Sequence, residues 1–130
     1  MTFADKCLTV KAENYAHSVP IDQYRCAGLV SQYFTFRPLV GGGQEIGTFA
    51  GKCLTVKGES HADSVPIDQY RCAGLVSQKF RLVPLGDNRY RIMTFAAKCL
   101  TVKGESYADS VPIDQYRCRD LVSQVFHIDW

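Results

Sequence analysis

Three stretches of this sequence carry the same chemistry-bearing residues: Asp22-Gln23-Tyr24-Arg25-Cys26, Asp68-Gln69-Tyr70-Arg71-Cys72 and Asp114-Gln115-Tyr116-Arg117-Cys118. On a strand, a residue and the one two places on share a face. An aspartate and a tyrosine then stand side by side. The ring can cover an apolar C–H surface, and the carboxylate accepts strong hydrogen bonds from hydroxyl groups. A sugar offers both surfaces. A hydroxyl and an amide follow each stretch, at Ser31-Gln32, Ser77-Gln78 and Ser123-Gln124. The plain alternative is a solvated charge beside a half-buried strand aromatic. Catalysis asks for an asymmetric set of tuned groups. No Ser-His-Asp or Cys-His set is evident, and His17, His61 and His127 do not repeat as the cysteines do, so the chain is not expected to be an enzyme.

These stretches belong to a longer repeat. Residues 48–80 and 94–126 differ at five of 33 positions, and residues 2–34 differ from the middle copy at six, with an offset of 46 both times. One unit reads as four strands: Cys53–Val56, Val65–Cys72, Val76–Pro84 and Arg89–Phe95, with a polar loop at Lys57–Ser64 and turns at Ala73-Gly74 and Gly86–Asn88. No 3.6-residue apolar period lasts long enough for a helix. A propeller needs at least four blades. Three four-stranded units sharing one core fit an all-β, pseudo-threefold β-trefoil, a single domain over 1–130 with repeats 1–47, 48–93 and 94–130. No unit should be stable alone. Met1 aligns with Met93 and Trp130 with Pro84, so the hairpin that joins repeat 3 to repeat 1 is expected to be short on both sides. A frayed closure and a domain cut from a longer chain both fit.

The six cysteines lie 19 apart in each repeat: Cys7 and Cys26, Cys53 and Cys72, Cys99 and Cys118. Six cysteines allow 15 pairings. Threefold repetition favours two: within each repeat, or Cys26 with Cys53, Cys72 with Cys99 and Cys118 with Cys7. Strand alternation chooses between them. Leu54, Val56 and Ile67 face the core, so Cys53, Thr55, Asp68, Tyr70 and Cys72 share the outer face. The within-repeat pairing follows. Zinc is not expected, because no C-x-x-C occurs. Disulfides imply a secreted or extracellular protein; reduced cysteines would fit the cytosol.

Bulk composition excludes several classes. With 15 Lys and Arg against 13 Asp and Glu, the net charge is +2 and the basic residues are spread through the repeats. A nucleic-acid partner is not expected. No apolar run is long enough to span or insert into a membrane. The N-terminus shows no charged region followed by an apolar one, so a signal peptide is expected either to have been removed or never to have been present.

The stretch Lys52–Phe80 resembles the repeat of ricin-B-type (R-type) lectins, also called family 13 carbohydrate-binding modules. It carries Gly51-Lys52-Cys53-Leu54-Thr55-Val56, Gly58-Glu59-Ser60-His61-Ala62-Asp63-Ser64, Ile67-Asp68-Gln69-Tyr70-Arg71-Cys72 and Ser77-Gln78-Lys79-Phe80 without a gap, and all three copies match. The Gln-x-aromatic signature stands at Gln32/Phe34, Gln78/Phe80 and Gln124/Phe126. The resemblance implies a disulfide within each repeat. It also implies sugar pockets built from Thr9, Asp22, Tyr24, Ser31 and Gln32; Thr55, Asp68, Tyr70, Ser77 and Gln78; and Thr101, Asp114, Tyr116, Ser123 and Gln124. The phenylalanines would pack in the core.

Two positions depart from the family's pattern. Threonine replaces the pocket aspartate after Cys-Leu, and serine replaces the asparagine before Gln-x-aromatic. All three copies gained an aspartate before the tyrosine instead. A carboxylate that has crossed the pocket implies a ligand, or a ligand orientation, unlike the galactose typical of the family.

The expected function is a lectin with up to three similar sites for glycans on glycoproteins, glycolipids or polysaccharides, needing no cofactor and no metal. The chain stands alone, forms a homo-oligomer or belongs to a larger toxin or hydrolase. A β-trefoil protease inhibitor, or a sugar-inert interaction module of a larger toxin or hydrolase, is the alternative, though three near-identical repeats offer an inhibitor no unique loop. With the aspartates read as surface groups, Asp68→Asn is expected to leave the melting temperature nearly unchanged. The fallback ligand locus is the variable loop of Tyr15, His61 and Tyr107.

Overall fold

The computed structural model describes residues 1–129. Alternating β-branched and polar residues produce eleven strands: β1 Lys6–Val10, β2 Val19–Arg25, β3 Thr35–Pro38, β4 Gln44–Gly47, β5 Lys52–Val56, β6 Val65–Arg71, β7 Arg81–Gly86, β8 Arg89–Met93, β9 Cys99–Val102, β10 Val111–Tyr116 and β11 Phe126–His127. Among the described residues no α-helix forms, and no helix is long and apolar enough to cross a membrane. The longest strand of each repeat joins its neighbours in a closed ring. Val19 pairs with Gln69, Val65 with Gln115 and Val111 with Gln23. This is the β-trefoil.

The inner faces of all three repeats meet in one core. Val10, Ile21, Ile46, Leu54, Val56, Ile67, Ile92, Leu100, Val102 and Ile113 are buried there with Phe80 and Phe126. Phe34 packs against the same cluster. One polar residue per repeat also lies inside. Gln69 is fully buried, and its amide donates to the carbonyls of Asn14 at 2.8 Å and Ala16 at 2.9 Å, in the preceding repeat. Gln115 holds Ser60 and Ala62 in the same way, and Gln23 holds Ser106 and Ala108. Ring contacts add to these seams: Tyr15 with Phe49, His61 with Phe95 and Tyr107 with Phe3, each 4.8 Å between centroids. The variable loop is therefore an inter-repeat clasp.

Several strand boundaries differ from expectation: β5 starts one residue earlier, β6 ends one residue earlier and β7 runs on to Gly86. The third strand of the middle repeat begins at Arg81, and Val76–Gln78 forms a 3-10 turn. The reason is Gln78, whose side chain folds back to accept the Ala73 and Leu75 N–H groups and curls the chain before it can extend. The fourth strand ends at Met93, because Thr94 bends the chain by accepting Ala96 N–H and bonding back to Lys98. The β7–β8 turn is Asp87-Asn88, both in the left-handed region at φ 56° and 61°, the twist a two-residue hairpin needs. At the closure of repeat 3, His127 bonds Met1 in both directions and β11 pairs β8. Trp130, aligned with Pro84, lies outside the described residues.

Candidate functional site

Disulfides join Cys7 to Cys26, Cys53 to Cys72 and Cys99 to Cys118, each within its own repeat. Each ties the two strands of a hairpin on the outer face. In the middle repeat, Cys53 is the cross-strand partner of Tyr70, and Thr55 that of Asp68. Thr55, where the resemblance implies a carboxylate, therefore stands opposite Asp68. Thr9 with Asp22 and Thr101 with Asp114 repeat the pairing.

This outer face is covered, which corrects the reading of the aspartates as surface groups. The chain after the hairpin crosses over it and forms the Val76–Gln78 turn. Cys53 and Ser77 are fully buried, Thr55 is 6% exposed, and Asp22, Asp68 and Asp114 are 5–6% exposed. Alternation identified the face but carried no information about a loop folding back on it.

A pocket opens here in every repeat. Around Asp68 it is lined by Thr55, Lys57, Glu59, Tyr70, Leu75 and Ser77, with Ser18 from the preceding repeat. The sister pockets are built on Asp22 with Ser110, and on Asp114 with Ser64. Their volumes are about 410, 260 and 480 Å³ in chain order, at the small end for ligand sites. Tyr24, Tyr70 and Tyr116 are half-buried walls, each ring covered by the next residue's guanidinium at 5.2, 5.3 and 5.4 Å from its centroid. One ring face is thereby engaged before any ligand arrives.

Burial pushes the carboxyls of Asp22, Asp68 and Asp114 up to about 6, with Lys11, Lys57 and Lys103 pulling each back down. No other side chain hydrogen-bonds to them among the described residues. Two of the three pocket serines are also short of partners. Ser31 and Ser123 hydroxyls are buried without one, and Ser77 donates to Glu59 at 3.3 Å. A desolvated carboxylate beside an unsatisfied hydroxyl costs stability. A ligand rich in hydroxyls relieves both.

The glutamines do not join these groups. Gln78 is 1% exposed, donates to Thr55 Oγ1 and the Arg71 carbonyl, and accepts two backbone N–H groups. Its hydrogen-bonding capacity is filled. Gln32 and Gln124 bond Thr9 and Thr101 in the same way. Thr55 in turn donates to the Cys53 carbonyl, so its hydroxyl serves the fold while the residue lines the pocket.

Sequence reasoning missed Lys11, Lys57 and Lys103; Glu13, Glu59 and Glu105; Leu29, Leu75 and Leu121; and Ser18, Ser64 and Ser110. The Lys-x-Glu triplets were detectable as identical in all copies. Each glutamate sits in the left-handed region at φ 51°, an arrangement that costs about 1 kcal/mol and holds it at the rim.

The family model of ricin-type β-trefoil lectin domain-like proteins matches residues 46–116. The chain belongs to this family. Among solved structures of the same fold is ThreeFoil, a designed threefold-symmetric protein. It is 27% identical with a TM-score of 0.94, over 98% of this chain and 94% of that one. An exo-β-1,3-galactanase from Clostridium thermocellum is 26% identical with a TM-score of 0.93, over 97% of this chain but 28% of that one. A ricin B-like lectin of Macrolepiota procera, solved with lactose, shares the fold at 17% identity and a TM-score of 0.78, over 94% and 85% of the two chains. No curated protein matches the sequence. Ricin-type relatives bind carbohydrate, and three disulfides suit an oxidising, extracellular setting.

Proposed function

We propose that the protein is a lectin that acts by binding, with one sugar-binding pocket in each repeat. Asp22, Asp68 and Asp114 accept paired hydroxyls, while Tyr24, Tyr70 and Tyr116 wall the C–H face of the ring. Ser31, Ser77 and Ser123 donate to or accept from a further hydroxyl. Lys and Glu at the rim bond the outer hydroxyls.

The observation that supports this most is the buried carboxylate without a side-chain partner, recurring beside a buried serine in three pockets. A sugar with vicinal hydroxyls replaces the water that folding removed. The carboxylate stands across the strand pair from the family's usual position, so a galactose-type ligand sits turned relative to the usual pose.

Each charged hydrogen bond contributes about 1.5–3 kcal/mol, and a pocket this shallow yields a Kd of roughly 0.1–1 mM. Three pockets engaging one glycosylated surface multiply that affinity. A glycan array followed by calorimetry tests the reading. Sugar hits lost in the triple Asp22→Asn, Asp68→Asn, Asp114→Asn protein uphold it. Undiminished binding in that folded variant overturns it.

A further inference from the structure

The three seams between repeats share a lysine and an arginine but differ in the residue that faces them. Between repeats 2 and 3, Asp63 accepts the Arg117 N–H at 3.0 Å and lies 3.3 Å from Lys98 Nζ and 3.7 Å from Arg117 Nε. Between repeats 3 and 1, Asp109 accepts the Arg25 N–H at 2.9 Å and lies 3.4 Å from Lys6 Nζ and 3.7 Å from the Arg25 guanidinium. Each carboxylate is thus gripped by a lysine and an arginine.

Between repeats 1 and 2 the same position is His17. Its Nδ1 accepts the Arg71 N–H at 3.2 Å, so the backbone bond survives. Lys52 and Arg71 also remain, but among the described residues no carboxylate lies within the 4.0 Å ion-pair distance of either. A neutral imidazole that accepts at Nδ1 carries its proton on Nε2. The seam therefore presents an ammonium, a guanidinium and a ring N–H where its sisters hold a carboxylate. It also borders the middle pocket. Ser18, the next residue, lines that pocket, as does Tyr70, whose ring is 4.9 Å from the His17 ring and 5.3 Å from the Arg71 guanidinium.

We infer that the His17–Lys52–Arg71 seam is an anion subsite, taking the carboxylate or sulfate of an acidic sugar whose ring occupies the adjoining Asp68 pocket. This rests on the sugar-binding reading of that pocket. The sister seams show what the lysine and arginine hold when a carboxylate is supplied, and an acidic glycan supplies it from outside. Arginine favours such groups because its planar fork matches two oxygens at once. The other two pockets have their cations already neutralised by Asp109 and Asp63, so they take neutral sugars. The three sites of one near-symmetric lectin then differ in ligand.

The test uses the whole isotope-labelled protein, followed by amide NMR. It is titrated with methyl galactoside and methyl glucoside, with the uronate and 6-sulfate of each, and with inorganic sulfate. The expected result is that an acidic sugar binds the middle pocket at least tenfold tighter than its neutral parent. It shifts the amides of His17, Ser18 and Arg71, and the preference shrinks with added salt. His17→Asp recreates the sister seam; it should abolish the preference and leave neutral binding at all three pockets intact. Uronate outranking sulfate ester, or the reverse, identifies the source of the anion. Neutral sugars binding everywhere with no acidic preference overturns the subsite and spares the lectin reading. Inorganic sulfate shifting the seam while no sugar binds overturns both. A preference that survives His17→Asp also overturns the subsite.

Discussion

The hairpin of β5 and β6 has two buried faces that are buried for opposite reasons. On the inner face, Leu54, Val56 and Ile67 are closed over by the other two repeats, and the polar Gln69 donates its amide to two backbone carbonyls while its Oε1 is buried without a partner. On the outer face, Cys53, Thr55 and Asp68 are as well covered, yet Asp68 has no side-chain partner and its carboxyl is pushed up to about 6. Burial of apolar side chains builds stability. Burial of a carboxylate without a side-chain partner gives up stability for a site that another molecule completes. The threefold repeat places both kinds of burial back to back, on adjacent residues of one strand.

The contrast is broken most completely by removing the partners of the inner face. A fragment of residues 48–93 keeps its disulfide and its pocket residues but leaves Leu54, Val56, Ile67 and Phe80 uncovered. It is expected to be unfolded, with no cooperative melt by circular dichroism. A soluble, cooperatively melting fragment would contradict the shared core.

A smaller loss follows from opening the outer face alone. Replacing Cys53 and Cys72 together by alanine frees a loop of about 20 residues, worth roughly 3 kcal/mol on chain entropy. The melting temperature should fall by roughly 10 °C while the other two pockets keep their ligand. Loss of sugar binding at all three pockets in that variant would mean the faces are not separable.

The fold was readable because its cause is periodic. The 46-residue offset, the paired cysteines and the core phenylalanines are local patterns copied three times, and alternation sorted Thr55 and Asp68 onto one face. What was not readable was set by chain segments crossing that face. Gln78 looked like a sugar contact because its type suits one, yet it is consumed in clasping Thr55, Arg71 and its own turn. Ser18 completes the Asp68 pocket from a different repeat, at a distance no local spacing encodes. The same crossing buried Asp68, and so turned an expected absence of effect on stability into an expected gain.

That gain is the next test. Asp68 is destabilising when ionised, because its folded carboxyl titrates near 6 against an ordinary value of 3.8. Asparagine removes the charge. Asp68→Asn should therefore raise stability at pH 7.5 by about 1–3 kcal/mol while weakening its own pocket. The gain should vanish near pH 3.5, where the wild-type carboxyl is protonated in both folded and unfolded chains. Urea melts at the two pH values read this directly. A variant less stable than wild type at pH 7.5 would show that the carboxylate serves the fold.

The smallest effect is a pH dependence of ligand binding, and its sign is opposite to that of stability. A folded-state value raised from 3.8 to about 6 means that stability from Asp22, Asp68 and Asp114 is full below about 4 and lost as the pH rises through 6. The free protein is therefore favoured in mild acid by these groups. The ligand needs the form that mild acid removes, since only the ionised carboxylate accepts from two hydroxyls. Binding should be constant from about pH 8 down to 7 and weaken below 6, approaching a tenfold loss per pH unit at each pocket. Calorimetry in two buffers of different ionisation heat should also register proton release on binding near pH 6, because the sugar draws the carboxyl toward its charged form. Binding that stayed flat from pH 8 to 5 would mean the sugar hydroxyls meet some group other than these three carboxylates.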